Sequence, residues 1–240
     1  MQTDVLVVVP TYNEAENVAQ IGAAVRAHGY GLLVVDDGSP DGTGEIADRL
    51  AAEDPGIAVL HREEKQGLGP AYAAGFRLAL ERGAQIICEM DADFSHDPAD
   101  LPRLVAAVDS GADLAIGSRY VPGGGVEDWP WHRRWLSRGG NIYAATLLRT
   151  KVKDMTAGFR AFRAAALQQL DFASCEASGY GFQVEMAWRA TRAEMDVREV
   201  PIIFRDRTEG TSKMGAGIAI EAMWLVTKWG ITNLLGRNRT

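Results

Sequence analysis

Short apolar runs alternate with helix-like stretches along the first half of the chain, and this alternation constrains the fold more than any other feature. Strands are predicted over residues 5–9, 32–35, 58–60, 86–90 and 114–116, with helices between them over residues 15–27, 43–53, 70–82 and 99–109. This βαβ repetition is typical of an α/β fold with a mostly parallel central sheet and helices on both faces. Ligands of such sheets bind at the carboxyl ends of the strands, so we expect the functional residues there.

The composition predicts a folded globular protein and argues against several functions. Of the 240 residues, 47% are hydrophobic and 24% are charged, as in ordinary domains with a buried core. The formal net charge of −7 gives no general attraction to nucleic acid, so nucleic acid is not expected as a partner. Cys88 and Cys175 are too few for a disulfide scaffold, and no secretory signal precedes the first strand. We therefore expect a protein of the reducing cytoplasm.

The fourth predicted strand ends in the segment IICEMDADFSHDP, where Asp91 and Asp93 lie one residue apart. Magnesium is usually held in proteins by one or two carboxylates together with substrate phosphates. The segment therefore favours a divalent cation that carries a nucleoside diphosphate, and hence a transferase of activated groups.

The same D-x-D pattern also opens phosphatases of the haloacid dehalogenase type, in which the first aspartate is a nucleophile and the second an acid. In those enzymes the motif ends the first strand. Here it ends about the fourth strand and follows two other polar strand ends, which favours the transferase.

The first strand ends in PTYNE, and no G-x-G-x-x-G follows, so a nicotinamide or flavin enzyme loses its main support. The Tyr12 ring could stack on a base, and the Glu14 carboxylate could accept a hydrogen bond from a base or ribose. Alternatively, Asn13 caps a helix and Glu14 lies in its first turn.

The second strand ends in Asp36-Asp37, where one acid can support the turn while the other, by preference Asp37, reaches the ligand.

Aromatic and basic residues are interleaved after the fifth strand. The motif GSRY contains Arg119, and the segment WPWHRRWLSR follows it. Tryptophan favours the membrane interface and arginine binds phosphate in a bidentate manner, so we expect an anionic lipid headgroup here. Arg119 is the first candidate for the phosphate, followed by Arg133, which shares a helix face with Ser137. The alternative is an ordinary amphipathic helix with its tryptophans in the core and its arginines in water. We favour this alternative for Arg134 and Arg138.

The stretch over residues 215–235 is apolar, but its polar residues fall on one helical face. This favours an interfacial or partner-binding helix over a membrane span, and a buried helix is the alternative. We expect a catalytic domain over residues 1–214 and an amphipathic helix with a basic tail over residues 215–240.

The segments VVVPTYNEAENV, VVDDGSPDGT, EMDADFSHDP, GSRY and VPIIFRDRTEGTSKM, in this order, resemble family 2 glycosyltransferases of the dolichyl- or polyprenyl-phosphate mannose synthase group. The resemblance covers roughly positions 5 to 214. It implies a GT-A fold, a nucleotide-sugar donor, Mg²⁺ or Mn²⁺, and an inverting transfer to a lipid phosphate.

The resemblance also assigns roles to individual residues. Asp93 with Asp91 would bind the metal, and Asp93 and Arg119 would be catalytic. Many relatives have glutamine where this chain has Ser95. The acceptor phosphate would bind Arg119, which we group with Arg133 and Ser137. The nucleotide sugar would bind Pro10, Tyr12, Glu14, Val35, Asp37, Asp91, Ala92, Asp93, Arg207 and Lys213.

A phosphate acceptor removes the need for a general base. The second pKa of a phosphate monoester is about 6, so the attacking oxygen is already deprotonated at neutral pH. We therefore predict that neither Asp91 nor Asp93 removes a proton. Relatives often place an acceptor-side acid near Glu185, although the helical pattern over residues 181–192 equally allows a structural role for this residue.

Taken together, the resemblance implies transfer of mannose from GDP-mannose to a polyisoprenyl phosphate at the cytoplasmic face of a membrane. The alternatives are transfer of glucose or another sugar from a UDP-sugar, and a nucleotide-sugar-binding subunit without catalysis. Some relatives carry additional transmembrane segments after the catalytic domain. We do not expect such segments here, so a separate membrane-anchoring protein is a further candidate partner.

Overall fold

The computed structural model describes residues 4–177, 179–206 and 216–236. Within these ranges the strands are β1 (Val5–Thr11), β2 (Gly31–Asp36), β3 (Ile57–His61), β4 (Ile86–Glu89), β5 (Leu114–Ser118), β6 (Gly125–Val126), β7 (Arg160–Arg163), β8 (Val197–Pro201) and β9 (Ile203–Phe204). The helices are α1 (Val18–Ala27), α2 (Thr43–Glu53), α3 (Leu68–Glu81), α4 (Leu101–Asp109), α5 (Trp131–Leu148), α6 (Ala164–Gln169), α7 (Tyr180–Arg192) and α8 (Ala216–Gly236).

The central sheet has the strand order β3-β2-β1-β4-β7-β5-β8. Neighbouring strands are parallel except at β7, which is antiparallel to both β4 and β5. A separate two-stranded ribbon pairs β6 with β9. The predicted α/β fold with a mostly parallel sheet is thus confirmed.

The strand β1 shows how one apolar run supports two hydrophobic cores. Side chains alternate between the faces of a strand, so Leu6 and Val8 enter one buried cluster while Val7 and Val9 enter another. The first cluster includes residues of α3, α5, α7 and α8, and the second includes residues of α1, α2 and α4. The helix α3 packs close to the sheet at Gly75, where an added Cβ would clash with Val8 Cγ1.

Two local predictions were wrong. The helix α1 begins at Val18 rather than at residue 15, and Asn17 occupies its N-cap position. Asn13, which has a left-handed φ of 59°, therefore does not cap this helix. The strand β7 was not predicted at all. It carries arginine at both ends, and the burial of Arg160 in an ion pair with Glu89 gives this polar sequence a place in the sheet.

The helix α8 packs against α5 and α7 and contributes to the same core as α3. The Trp229 ring stacks on the Trp188 ring of α7 with 5.4 Å between centroids, and the hydroxyls of Thr227 and Tyr143 lie 2.7 Å apart. Within the described ranges, no helix combines the length and the apolar character needed to cross a membrane.

Candidate active site

Polar segments that follow β1, β2, β3, β4 and β5 meet at one edge of the sheet. The strands β1 to β4 pair in parallel, and β5 runs in the same direction as β4 because β7 lies antiparallel between them. The Asp37 backbone N donates to Thr11 O at 3.1 Å, which joins the first two segments. The Tyr72 hydroxyl of α3 donates to Asp91 Oδ1 at 3.4 Å and so reaches the segment after β4. The tertiary structure therefore brings together the strand ends that the sequence identified.

At the β2 end of this edge, Asp36 and Asp37 have different partners. The Ser39 hydroxyl donates to Asp36 Oδ1 at 2.5 Å, so Asp36 supports the turn. Arg62 Nη1 donates to Asp37 Oδ1 at 2.6 Å. Burial raises the pKa of Asp37, and the opposing effect of the Arg62 charge does not fully cancel it.

Basic residues after β3 complete this end of the site, and the sequence reasoning missed them. Lys65 Nζ lies 4.1 Å from the centroid of the Tyr12 ring, the ring predicted to stack on a base. Arg62 also donates to Gln66 through Nη2 at 3.0 Å. The sequence did contain a signal for these residues, because the segment HREEKQG follows the carboxyl end of a predicted strand, where ligands are expected.

Other residues predicted at this end have structural roles for their side chains. The Val35 side chain is fully buried in the core against α3, so a contact of Val35 with a ligand would involve its backbone rather than its side chain. Glu14 accepts a hydrogen bond from Asn17 Nδ2 at 2.9 Å, and its backbone N donates to Thr43 Oγ1 at 2.9 Å. Pro10 lies within β1, one residue before its end.

Asp91 and Asp93 lie just beyond β4, with Ala92 buried between them. The backbone N and the hydroxyl of Ser95 donate to Asp93 Oδ1 at 3.0 and 2.6 Å. Ser95 is itself buried, and its two hydrogen bonds orient the Asp93 carboxylate. His96 Nδ1 lies 3.8 Å from Asp91 Oδ2.

The donor set fits a hard divalent cation that is bound partly by its substrate. Carboxylate and hydroxyl oxygens are the ligands that Mg²⁺ and Mn²⁺ prefer. In the described part of the chain, no group of three or more His, Cys, Asp or Glu side chains is arranged to hold a metal. Asp91 and Asp93 would therefore need phosphate oxygens to complete the coordination of such an ion.

A buried carboxyl–guanidinium pair lies below the acids. Arg160 Nε is 3.4 Å from Glu89 Oε1, and both side chains are fully buried. Burial raises the pKa of Glu89 to about 8, although the Arg160 charge acts in the opposite direction. Arg160 also donates to the backbone oxygens of Ala157 and Met155 at 2.8 and 3.0 Å, which anchors the segment over residues 154–158 beneath the site.

Arg119 follows β5 and is fixed by Asp154. Its Nε and Nη2 atoms donate to the two carboxylate oxygens at 2.7 and 2.6 Å, and its backbone N donates to Asp154 Oδ2 at 2.9 Å. Nη2 also donates to Thr156 Oγ1 at 2.8 Å. The Asp154 backbone N in turn donates to Glu199 Oε1 at 3.0 Å. The sequence reasoning missed Asp154 because its partner is 35 residues away.

Arg133 and Ser137 lie on α5 beside Arg119. The Tyr120 hydroxyl donates to Ser137 Oγ at 2.7 Å. The guanidinium carbons of Arg119 and Arg133 lie 5.7 and 4.2 Å from the Trp129 ring centroid. The three residues predicted to bind the acceptor phosphate are therefore neighbours around Tyr120 and Trp129.

Three further candidates have different outcomes. Arg207 and Lys213 lie outside the described residues. Glu185 is buried, forms an ion pair with Arg189 at 2.6 Å, and accepts a hydrogen bond from the Glu176 backbone N at 3.0 Å. Its contacts are those of a structural residue.

An exposed apolar surface lies next to this end of the site. Trp131 and Trp135 of α5 are 74% and 71% exposed, and the interpretation that placed them in the core was wrong. The helix α5 buries a different set of residues against α8 and the core, so these side chains point to solvent. We call the exposed large side chains of the two helices the α5–α8 surface: Trp131, Trp135, Leu136, Ile142, Met223, Trp224 and Ile231.

The sequence and the fold are similar to those of known glycosyltransferases. The chain is 51% identical over 240 residues to the polyprenol monophosphomannose synthase of Mycolicibacterium smegmatis, covering 98% of this chain and 89% of that protein. It is 50% identical over 229 residues to the undecaprenyl-phosphate mannosyltransferase of Micrococcus luteus, covering 95% and 94%. Its fold is similar to that of a mannosyltransferase from Pyrobaculum calidifontis solved with GDP-Man and Mn²⁺, at a TM-score of 0.60 and 17% identity over 98% of this chain and 65% of that chain. The profile of glycosyl transferase family 2 matches residues 6–171, and this chain belongs to that family.

Proposed function

We propose that this protein transfers mannose from GDP-mannose to a polyisoprenyl phosphate, with inversion at the anomeric carbon. One observation carries the proposal: the segment over residues 154–158 contacts both halves of the site. At one end Asp154 and Thr156 hold Arg119. At the other end, an added Cβ at Gly158 would lie 3.8 Å from Asp91 Oδ2. A donor diphosphate at the acids and an acceptor phosphate at the arginines would therefore be neighbours.

The relatives support the choice of substrates. One bacterial relative is named as a polyprenol monophosphomannose synthase, and the other as an undecaprenyl-phosphate mannosyltransferase. The structural neighbour was solved with GDP-Man. Tyr12, Asp37 and the basic residues after β3 would hold the nucleoside at the far end of the sheet edge. Arg207 and Lys213 are proposed, from the resemblance of their motif, to contact the donor diphosphate.

A divalent cation, Mg²⁺ or Mn²⁺, would bind Asp93 and Asp91 and neutralise charge on the departing nucleoside diphosphate. The Mn²⁺ in the structural neighbour supports this assignment. Ser95 holds Asp93 in place for this purpose, and Tyr72 contributes a hydrogen bond to Asp91. Burial raises the pKa of Tyr72 well above its ordinary value, so its hydroxyl remains a donor.

The arginines would bind an acceptor that brings its own negative charge. Arg119, Arg133 and the Ser137 hydroxyl would orient the phosphate for in-line attack, and its second pKa of about 6 leaves the attacking oxygen deprotonated. The buried Asp154 accepts hydrogen bonds from Arg119 and is not placed to act on the acceptor. Catalysis would then consist of positioning and charge stabilisation, without a general base.

The acceptor's chain would lie in a membrane, and the α5–α8 surface would contact that membrane. Tryptophan side chains favour the membrane interface, and this surface exposes three of them, Trp131, Trp135 and Trp224. Arg133 lies in the first turn of the same helix, so a headgroup phosphate at the interface could reach it. We place the protein peripherally on the cytoplasmic face, and a membrane-anchoring partner would be an alternative occupant of the same surface.

The test is an incubation of the protein and Mg²⁺ with polyprenyl phosphate and radiolabelled sugar nucleotides, scoring label in the lipid phase. GDP-mannose should label the lipid. Label from UDP-glucose instead would change the donor and keep the reaction class. The absence of labelled lipid with every donor would contradict the proposal, and release of phosphate without any sugar nucleotide would indicate a phosphatase.

A further inference from the structure

The two arginines proposed to bind the acceptor have carboxylate partners of different kinds. Arg119 forms two side-chain hydrogen bonds with Asp154, and the two side chains are 8% and 0% exposed. Arg133 Nη1 donates to Asp206 Oδ2 at 2.7 Å, and these side chains are 30% and 34% exposed. One arginine is therefore fixed by a buried carboxylate, while the other is paired with a carboxylate that solvent and ligands can reach.

Arg133 has other contacts besides the one with Asp206. Its guanidinium carbon lies 4.2 Å from the centroid of the buried Trp129 ring, a distance typical of a cation–π contact. Its backbone N donates to Pro130 O at 3.1 Å in the first turn of α5. The contact with the Trp129 ring would hold the guanidinium in place while the anion that pairs with it changes.

We propose that Asp206 is an internal anion that occupies Arg133 until the phosphate of the acceptor displaces it. The inference rests on the proposed function. A phosphate monoester carries more negative charge than a carboxylate and offers three acceptor oxygens, whereas a partly exposed ion pair contributes little free energy. The exchange therefore favours the incoming phosphate. When the product leaves, Asp206 pairs with Arg133 again and assists release.

The experiment measures equilibrium binding of farnesyl phosphate, a short-chain prenyl phosphate, to the full chain. Asp206→Asn should tighten binding by about two- to fivefold, because the competing ion pair is lost. Binding of GDP-mannose should not change. Asp206→Glu, which keeps the charge, should bind like the parent protein. Glu127→Gln is the matched control, because it removes a nearby acid that pairs with Arg205 at 3.1 Å rather than with Arg133.

The effect should also depend on Arg133. In an Arg133→Ala background, Asp206→Asn should leave farnesyl phosphate binding unchanged, since the two residues act through one contact. Equal or weaker binding in Asp206→Asn, or equal tightening in Glu127→Gln, would overturn the exchange while leaving the proposed transfer intact. If the parent protein binds no farnesyl phosphate, the proposed acceptor class fails, and the exchange fails with it.

Discussion

At the scale of the residue, Asp154 determines what Arg119 can do. Asp154→Asn keeps the shape of the side chain but removes the charge that holds the guanidinium. We expect kcat/KM for the lipid acceptor to fall by about ten- to a hundredfold, because hydrogen bonds to charged groups contribute about 1.5–3 kcal/mol. Binding of GDP-mannose should be preserved. Steady-state kinetics with varied acceptor, together with isothermal titration of the donor, test both expectations.

The residue-scale control is Asp196→Asn, which removes an exposed ion pair with Arg198 at 2.6 Å. Exposed pairs contribute under about 1 kcal/mol, so activity should match that of the parent protein. A positioning role for Asp154 predicts an unchanged pH profile of the residual activity. Loss of the acidic limb of the pH profile in Asp154→Asn, with the affinity for the acceptor retained, would instead identify Asp154 as a base. That result would contradict the positioning role.

At the scale of the element, α5 serves both the site and the α5–α8 surface. Because Trp131 and Trp135 are mostly exposed, replacing both with Gln should leave the fold intact. Binding to vesicles of anionic lipid should weaken by at least about tenfold, since each buried large apolar side chain contributes about 1.5–3 kcal/mol. Transfer to a short-chain acceptor in solution should be unchanged.

Vesicle sedimentation and activity measurements on the same preparations separate these expectations, and the pair replaced with Phe serves as the control that retains apolar character. Vesicle binding that survives the Gln replacements would locate the membrane contact elsewhere. Loss of soluble activity would show that these side chains support the site itself.

At the scale of the whole molecule, the Glu89–Arg160 pair links stability to pH, because both side chains are fully buried. The folded-state pKa of Glu89 is about 8 against an ordinary 4.5, so the folded protein holds this proton more tightly than the unfolded chain does. The stabilisation is present below about pH 4.5 and is lost as the pH rises through about 8. As the pH rises over this interval, the unfolding free energy of Glu89→Gln should therefore fall less than that of the parent protein.

Denaturant unfolding of both proteins in the presence of a chelator, at several pH values across that interval, measures the difference in unfolding free energy. Other titrating groups are common to both proteins and cancel in the comparison. Parallel pH curves for the two proteins would show that Glu89 is ionised in the folded state throughout and would contradict its raised pKa.

The sequence alone predicted much of the fold and the location of the site. Continuous apolar runs such as residues 5–9 become strands buried on both faces, and strong turn residues end them, so the parallel sheet and its polar edge follow from local pattern. The position of Asp91 and Asp93 just beyond β4 follows in the same way. These features depend on neighbouring residues, which the sequence contains directly.

Tertiary structure decided the partners of those residues. The paired residues are far apart in the sequence: the separation is 35 positions for Arg119 and Asp154, 73 for Arg133 and Asp206, and 25 for Asp37 and Arg62. Local pattern does not specify such pairings. The antiparallel insertion of β7 and the exposure of Trp131 also depended on which surfaces were already occupied by other elements. The sequence by itself therefore determined where charged groups could gather. Only the packing of the chain decided which arginine is fixed and which can exchange its partner, because burial and distance exist only once the elements have assembled.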